Sequence, residues 1–425
     1  MPMNRKDFVA TLGLGSSAIW VTGCGSSRQN EDELPVFDSN APHRFWASIR
    51  KFYSLTPDRV YLNCGGLGPA PKIVMDAVAE KSAELQSISE TGHALMDVAR
   101  EVVARYLRVG LDSICFTRNA TESNSIIAAG LDLKRGDEVI FESHAHPGGS
   151  LAWLSRSKHD GIRVRVFEPD PHSQEGNLNR IESLITPRTR VIQVSHITAP
   201  TGILMDVKAI AKLARSKGIW FHIDGAQSAG MIPINLSEIG CDSYATSGHK
   251  WMGGPRGTGI LCIDPERVDE VDATHVGGHS SASYTLPDNI VFHPGARRYE
   301  YGTRNTELVE GLRVAVDFQT RIGVERIEAY GSSLVEQLYR ELEATDSISV
   351  LTPSDPKMRR SIITFKSSKV SFDPLNNALT RDYKLRCRRV TEQGLNAVRV
   401  SPHIYNSPEE CVRVVEAVKE IVSRA

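Results

Sequence analysis

The chain has 425 residues, of which 40% are hydrophobic and 24% are charged, and its formal net charge is −1 at pH 7. This length favours one large and one smaller domain, and the composition is typical of ordinary soluble enzymes. The near-neutral charge argues against nucleic acid or an acidic membrane as the main partner. The seven cysteines include no C-x-x-C pair and no zinc-like spacing, so neither a metal site nor a redox dithiol is predicted.

Residues 1–24 predict an export signal. A basic start, Asn4-Arg5-Lys6-Asp7-Phe8, precedes an apolar run from Val9 to Val21 that is too short to span a bilayer. Val21-Thr22-Gly23-Cys24 resembles a bacterial lipobox, in which Cys24 would be lipidated, and Arg5-Lys6-x-Phe8 resembles a twin-arginine signal with one lysine replacement. We therefore expect a periplasmic, lipid-anchored protein, the alternative being a cytoplasmic protein with a frayed apolar leader.

Residues 25–43 are polar and aperiodic, which predicts a tether, and residues 44–72 then form an amino-terminal segment. In that segment a helix and a short strand lead into Asn63-Cys64-Gly65-Gly66-Leu67-Gly68-Pro69. So many glycines indicate a loop whose backbone comes close to another group, and a substrate is one candidate. A simple tight turn is the alternative.

From residue 114 onward, β-rich runs alternate with helical segments. The runs are Ile114 to Thr117, Glu138 to Phe141, Val164 to Phe167, Val191 to Ser195 and Ile219 to Ile223. This alternation predicts an α/β fold with a mostly parallel sheet that is flanked by helices and binds ligands at the carboxyl ends of its strands. We expect this large domain to cover residues 73–311 and a smaller α+β domain to cover residues 312–425.

Polar motifs follow the predicted strands. Asn119, after the first strand, is a good N-cap, and the helix that it opens offers free N–H groups to a phosphate, although an ordinary capped helix is the alternative. His144, after the second strand, is a candidate for stacking on a planar ring or for proton relay, although an isolated loop histidine often does neither. Asp224 follows the Ile219 to Ile223 strand, and Lys250 lies in the glycine-containing loop Ser247-Gly248-His249-Lys250-Trp251-Met252-Gly253-Gly254.

An aspartate and a lysine in this arrangement suit a pyridinium aldehyde. Lys250 would form an imine with the aldehyde, while Asp224 would keep the ring nitrogen protonated, so that the ring absorbs electrons from a carbanion.

These motifs together resemble the class V aminotransferase family of fold-type I pyridoxal-phosphate enzymes, and its isopenicillin N epimerase-like branch in particular. The resemblance extends from Arg44 to the end of the chain. It depends on His222-Ile223-Asp224-Gly225-Ala226-Gln227 and Ser247-Gly248-His249-Lys250, supported by Asn119-Ala120-Thr121, by Tyr61-Leu62-Asn63 and by His196-Ile197-Thr198-Ala199-Pro200-Thr201.

The resemblance implies a role for each matching residue. Lys250 is the imine lysine and proton shuttle, Asp224 contacts the ring nitrogen, and His144 stacks on the ring. The remaining cofactor contacts fall to Asn119, Ala120, Thr121, Gln227, Ser247, His249 and Thr303. Thr303 would reach the cofactor of a neighbouring subunit, which implies a homodimer. The substrate would be held by Asn63 and by Arg399, the latter clamping its α-carboxylate.

Two departures from the family pattern bear on the reaction. The stretch from Arg388 to Val398 contains no cysteine, and Cys387 falls in a predicted strand, which disfavours the persulfide chemistry of cysteine desulfurases. Ala199 stands where many relatives have asparagine, so Gln227 is expected to contact the ring hydroxyl alone.

We therefore expect an enzyme that uses pyridoxal phosphate to remove the α-proton of an amino acid or of an amino-acid moiety, with an epimerase-like or lyase-like outcome. One alternative is an aminotransferase that modifies an exported peptide metabolite. Another is a catalytically silent, lipid-anchored protein that binds an amino-acid-like ligand.

Overall fold

The fold combines a large, mostly parallel sheet with a smaller antiparallel sheet, and helices flank both. It is seen in a computed structural model that describes residues 34–425; the predicted signal, Cys24 and the first part of the predicted tether lie outside the described residues. The strands are β1 (Val60–Tyr61), β2 (Ile114–Thr117), β3 (Glu138–Glu142), β4 (Arg163–Phe167), β5 (Thr189–Ser195), β6 (Trp220–Asp224), β7 (Ser243–Ser247), β8 (Gly259–Ile263), β9 (Ser281–Thr285), β10 (Asn289–Phe292), β11 (Ile348–Val350), β12 (Ile363–Ser367), β13 (Leu385–Arg386), β14 (Arg388–Val390) and β15 (Ala397–Val400).

The helices lie between these strands, as the alternating pattern predicts. They are α1 (Pro42–Arg50), α2 (Lys72–Ile88), α3 (His93–Leu107), α4 (Ala120–Gly130), α5 (Pro147–Asp160), α6 (Gln174–Leu184), α7 (Val207–Ser216), α8 (Leu236–Ile239), α9 (Thr306–Ile322), α10 (Val324–Glu343), α11 (Phe372–Arg381) and α12 (Pro408–Ser423). Among residues 34–425, none of them is long and apolar enough to cross a membrane.

The large sheet has seven strands in the order β2-β8-β7-β6-β5-β3-β4. Every neighbouring pair is parallel except the two that involve β8, which runs antiparallel between β2 and β7. Both faces of the sheet are buried: in β3, Ile140 contributes to one apolar cluster while Val139 and Phe141 contribute to another. Burial on both faces explains the continuous apolar runs in β3 and β8, whereas the edge strand β4 is partly exposed and alternates arginine with valine. The predicted fold class is confirmed.

The small sheet has the antiparallel order β11-β12-β15-β14 and packs against α10, α11 and α12. The amino-terminal segment joins it, since β1 pairs in parallel with β13 and Asn63 forms an isolated bridge with Ser401. The predicted domain boundary between residues 311 and 312 falls inside α9, which packs on α2 and α3 and also contacts α10. One continuous helix therefore connects the two predicted domains.

The carboxyl ends of the parallel strands bring the predicted motifs to one edge of the large sheet. His144 follows β3, Asp224 ends β6, and Ser247 ends β7 just before the loop that contains Lys250. Ligands of open α/β folds bind at this edge, so the topology concentrates the candidate residues there.

Candidate active site

Lys250 lies in the loop between β7 and β8, with its side chain partly buried. The pKa of its amine is lowered to about 8, mainly by burial; the carboxylate of Asp224 opposes the shift, and the guanidinium groups of Arg399 and Arg388 contribute to it. Asp224, Arg399 and Arg388 are thus charged groups that act on this amine, and the lowered pKa makes a minor fraction of it neutral at pH 7.

The glycine-rich loop after Asn63 packs against the lysine loop. The N–H of Gly68 donates to the carbonyl of His249 (2.8 Å), and a Cβ atom on Gly68 would lie 2.0 Å from the carbonyl oxygen of Lys250. A Cβ atom on Gly65 would lie 2.9 Å from Gln227 Oε1. The close approach that the glycines predict is thus to the protein's own lysine loop and to Gln227, and the glycines keep that loop in contact with Lys250.

Asp224 is buried at the end of β6, and both of its oxygens accept hydrogen bonds. Oδ1 accepts the N–H of Ala226 (3.0 Å), and Oδ2 accepts Asn124 Nδ2 (3.0 Å). The same Asn124 nitrogen also donates to the carbonyl of Gly148 at the start of α5 (3.2 Å). Asp224 is therefore fixed in orientation by two helices as well as by its own strand.

A directional chain of hydrogen bonds extends from Asp224 into the core. Because a carboxylate only accepts, Asn124 must present Nδ2 to Asp224 and Oδ1 to His222, so His222 donates from Nε2 (2.8 Å). His222 Nδ1 then accepts from Ser243 Oγ (2.7 Å), which in turn accepts from Trp220 Nε1 (2.9 Å). Burial lowers the pKa of His222 to about 4, so the whole chain is neutral up to the carboxylate of Asp224.

The predicted phosphate-binding residues meet at the start of α4. Asn119 caps this helix through Oδ1, which accepts the N–H of the residue three positions later (2.9 Å), so its side-chain oxygen is engaged in shaping the site. The N–H of Ala120 donates to the buried Ser247 Oγ (3.0 Å), while Thr121 is exposed beside it. His249 is partly buried, and its Nδ1 has no hydrogen-bond partner among the described residues. A helix start with such donors around it suits an anion.

Two histidines follow β3, and they face different neighbours. His144, the predicted stacking residue, is buried with Nδ1 3.0 Å from Thr201 Oγ1 and Nε2 3.3 Å from Glu168 Oε1. His146 caps α5 through Nδ1, which accepts the N–H of the residue two positions later (3.0 Å). Burial is the main cause that lowers the pKa of His146. The charge of Lys250 lowers this pKa as well, and the charge of Asp224 raises it. His146 is thus the imidazole whose charge responds to both Lys250 and Asp224.

Gln227 is buried between the glycine-rich loop and the lysine loop. Its Nε2 donates to the carbonyl of Gly65 (2.8 Å), and its Oε1 accepts Trp251 Nε1 (2.8 Å). The amide nitrogen of glutamine has two hydrogens. One is donated to Gly65, and the other can be donated to a ring hydroxyl, as predicted.

Arg399 is fully buried in β15 and lacks a carboxylate partner within the described residues. Its Nη1 donates to the carbonyl of Ala199 (2.7 Å), its Nη2 donates to Asn63 Oδ1 (3.0 Å), and its Nε has no partner there. The pKa of its guanidinium is lowered to about 9, mainly by burial and to a smaller extent by the charge of Arg388. Burying an arginine without an anion is costly, and the arrangement suits a carboxylate ligand that Asn63 helps to position.

Thr303 lies in the loop that leads into α9, and its side chain is exposed in this chain. Its predicted contact with the cofactor of a second subunit stays a prediction. Among residues 34–425, no group of three or more His, Cys, Asp and Glu side chains could hold a metal ion, and the six described cysteines are free.

Sequence reasoning missed four residues of this site: Asn124, His222, His146 and Arg388. Helical and strand periodicity contain the signal for two of them. Asn124 lies one turn after Ala120 in α4, and His222 lies two positions before Asp224, on the same face of β6. Arg388 reaches the site through the pairing of β14 with β15, for which the sequence has no local signal.

The arrangement fits pyridoxal phosphate on the chemistry of its donors. A partly buried amine with a lowered pKa stands ready for an aldehyde, an anchored carboxylate suits a pyridinium nitrogen, and a capped helix start suits a phosphate. His249 Nδ1, which has no partner among the described residues, is a further donor or acceptor for such a ligand.

Comparisons with known proteins agree with this fit. A probable cysteine desulfurase from Methanothermobacter thermautotrophicus is 30% identical over 399 residues, covering 88% of this chain and 97% of that protein. An isopenicillin N epimerase from Streptomyces clavuligerus is 26% identical over 386 residues, with coverage of 88% and 97%. The apo structure of a cysteine desulfurase from Thermococcus onnurineus NA1 is similar at a TM-score of 0.81 and 25% identity, covering 89% of this chain and 98% of that one.

The profile of one family, described as aminotransferase class-V, matches residues 60–414. That span contains Lys250, Asp224 and the other site residues described above, and pyridoxal phosphate is the cofactor that the family supports. The chain therefore belongs to the class V aminotransferase family of pyridoxal-phosphate enzymes.

Proposed function

We propose that this protein removes the α-proton of an amino acid, or of an amino-acid moiety in a larger molecule, with Lys250 as the group that carries the proton. The observation that supports it most directly is the position of Lys250 in the loop after β7, beside Asp224 and Arg399, where burial lowers its pKa to about 8. At pH 7 about one tenth of such amines are neutral, against roughly one in 2,500 for a lysine of ordinary pKa. A neutral amine is the form that accepts a proton.

The cofactor and the protein divide the chemistry. When bound, pyridoxal phosphate supplies the electron withdrawal that makes the α-hydrogen of an amino acid acidic. Asp224 offers a fixed negative charge that favours a protonated ring nitrogen. Arg399 and Asn63 hold the α-carboxylate, and this directs the α-hydrogen toward Lys250.

His146 is our candidate for the group that covers one face of the cofactor ring. Its charge responds to Lys250 and Asp224, whereas the ring nitrogens of His144 face Thr201 and Glu168. In this proposal His144 supports the loop after β3, and His146 takes the stacking role that the family resemblance implies for His144.

The described cysteines do not favour persulfide chemistry. Cys387 is fully buried, and burial raises the pKa of its thiol to about 12; the same holds for Cys64 near Lys250. The nucleophile of a desulfurase is a thiolate, which such burial suppresses. We therefore favour an epimerase-like or lyase-like fate of the carbanion, with amino transfer to or from an exported peptide metabolite as the alternative.

The proposal includes a homodimer and an exported protein. A homodimer follows from the family resemblance at Thr303, which is exposed in a single chain. Export follows from the sequence of residues 1–24, with Cys24 as the point of lipidation.

The test is to incubate the purified holoenzyme with a panel of L- and D-amino acids in deuterated water and to follow the products by mass spectrometry. We expect deuterium at the α-carbon, and its loss in Lys250→Ala. Lys208→Ala, which removes a lysine exposed on α7, should keep the exchange. A yellow protein that exchanges no substrate would contradict the proposal, and a colourless one that binds amino acids would favour the silent binder.

A further inference from the structure

We propose that Arg388 forms a second anion-binding position beside Arg399, so that the site takes an amino acid whose side chain carries a second carboxylate. This inference deepens the proposed function, because it assumes that Arg399 receives the α-carboxylate. The substrate class is thus an acidic amino acid, free or as part of a larger molecule.

The pairing of two strands brings the two arginines together. Arg388 in β14 is the direct partner of Arg399 in β15, whose other neighbour is Thr364 in β12. Residues directly opposite in an antiparallel pair point to the same face, with Cβ atoms about 5 Å apart. Arg388 also lowers the pKa of Lys250, of Arg399 and of His146, which agrees with a guanidinium that faces the same space.

The two guanidinium groups retain unused donors. Nη2 of Arg388 pairs with Glu392, but Nη1 is buried without a partner among the described residues, as is Nε of Arg399. Glu392 is therefore ion-paired with Arg388 and acts on Arg399 only through its charge. A buried donor without a partner is costly, and a second ligand carboxylate would satisfy it.

Arg389, the next residue in β14, is an arginine with a structural role and serves for comparison. Arg389 points to the opposite face of β14, where it forms an ion pair with Asp373 (3.1 Å) and donates to Asn377 (2.7 Å). Its contacts are made at an exposed position by partners in α11. Arg388 shares with it an ion pair to a carboxylate but is partly buried and keeps one nitrogen, Nη1, without a partner among the described residues, which argues against a role limited to its pair with Glu392.

The spacing selects the length of the ligand. Four carbon–carbon bonds of about 1.5 Å separate the two carboxyl carbons of glutarate by roughly 5 Å. The Cβ atoms of directly opposite residues such as Arg388 and Arg399 are also about 5 Å apart, and on this basis a carbon skeleton of the glutamate type is favoured.

The test is equilibrium binding of two non-reacting probes, glutarate and butyrate, to the holoenzyme by titration calorimetry. Wild-type protein should bind glutarate at least tenfold more tightly than butyrate, since a hydrogen bond to a charged group is worth about that factor. Arg388→Gln should bring the ratio of glutarate to butyrate affinity close to one, while its affinity for butyrate should stay within about twofold of the wild-type value. Arg389→Gln, the matched control, should keep the wild-type ratio.

Several outcomes would overturn the inference. The first is a ratio of glutarate to butyrate affinity near one in the wild type, and the second is an unchanged ratio in Arg388→Gln. The third is an equal loss of affinity for both probes in that variant, which would mean that both arginines hold one carboxylate. If Arg388→Gln leaves Glu392 unpaired and fails to fold, Arg388→Gln/Glu392→Gln replaces both charges and is read in the same way. Because neither probe reacts, failed deuterium exchange would overturn the proposed function and leave this result intact.

Discussion

The two sides of Lys250 differ in how completely their polar groups are satisfied. On the cofactor side, Asp224 is the end of a chain in which each donor and acceptor has a partner. On the substrate side, Arg399 Nε and Arg388 Nη1 are buried without partners among the described residues. The chain that ends at Asp224 is fixed before a ligand arrives, and His249 Nδ1 is the group on that side without a partner among the described residues, whereas the substrate side holds positive charge that a ligand would neutralise. A site that binds its cofactor permanently and its substrate transiently needs this difference.

The largest expected effect comes from the loop where the two sides meet. In Gly68→Ala, the new methyl group would lie 2.0 Å from the carbonyl oxygen of Lys250, a backbone atom that cannot move alone. We expect a loss of about 1–3 kcal/mol in the free energy of unfolding. We also expect an activity loss of about 100-fold, because Lys250 would shift relative to both sides. The measurements are urea unfolding and deuterium exchange.

Gly110→Ala is the control for this prediction, because a methyl group there meets no atom within 4 Å. Near-wild-type activity of Gly68→Ala would show that the glycine-rich loop can move away from Lys250 without disturbing it. The two sides would then be independent.

The next effect concerns Lys250 itself, whose pKa is lowered mainly by burial and also by the arginines of the substrate side. Its pKa of about 8 in the folded protein lies below the value of about 10.4 in an unfolded chain, so the unfolded state binds more protons between these pH values. The stability of the cofactor-free protein should therefore gain about 2–3 kcal/mol from this residue as pH rises from 7 to 10.

Lys250→Met removes that titration. The variant should be more stable than wild type at pH 7, and the gap should shrink by about 2–3 kcal/mol by pH 10, measured by urea unfolding at each pH. Lys208→Met, at an exposed ion pair with Glu238, is the control and should show a gap that changes little with pH. A constant gap for Lys250→Met would mean that the amine keeps an ordinary pKa beside Arg399 and Arg388.

The cofactor side is largely predictable from sequence because its residues follow strands. Parallel strands end at the same edge of a sheet, so the predicted strands are enough to bring Asn119 and Asp224 to one site, while Ser247 is assigned to it by the family resemblance. The helical start after β2 and the apolar strand before Asp224 are local patterns, and the folded chain has both. Local pattern together with topology is sufficient there.

The rest of the site depends on contacts between distant segments. Whether His144 or His146 feels Lys250 is decided by how α5 begins, which two nearby histidines do not reveal. The position of Arg388 depends on the register of β14 against β15, and a shift by one residue would turn Arg389 inward instead. The insertion of β8 between β2 and β7 likewise leaves no periodic signal.

The smallest effect tests whether the cofactor side works as one unit. Asn124→Leu should leave His222 Nε2 and Asp224 Oδ2 short of a partner and lower the free energy of unfolding by about 1–3 kcal/mol. His222→Phe should have a similar cost. The double variant should cost less than the sum, because each substitution breaks the same chain. Asp224 would also lose its fixed orientation, so we expect cofactor affinity, followed by the absorbance of bound pyridoxal phosphate, to fall about tenfold in each case.

Asn177→Leu provides the matched control, since this buried asparagine bonds to Asp170 and Ser173 and not to the site. It should destabilise the protein by a comparable amount without changing cofactor affinity. If Asn124→Leu and His222→Phe were additive and cofactor affinity stayed constant, Asp224 would be held by Ala226 and its strand alone. The contrast between a completed cofactor side and an unfinished substrate side would then rest on the arginines alone.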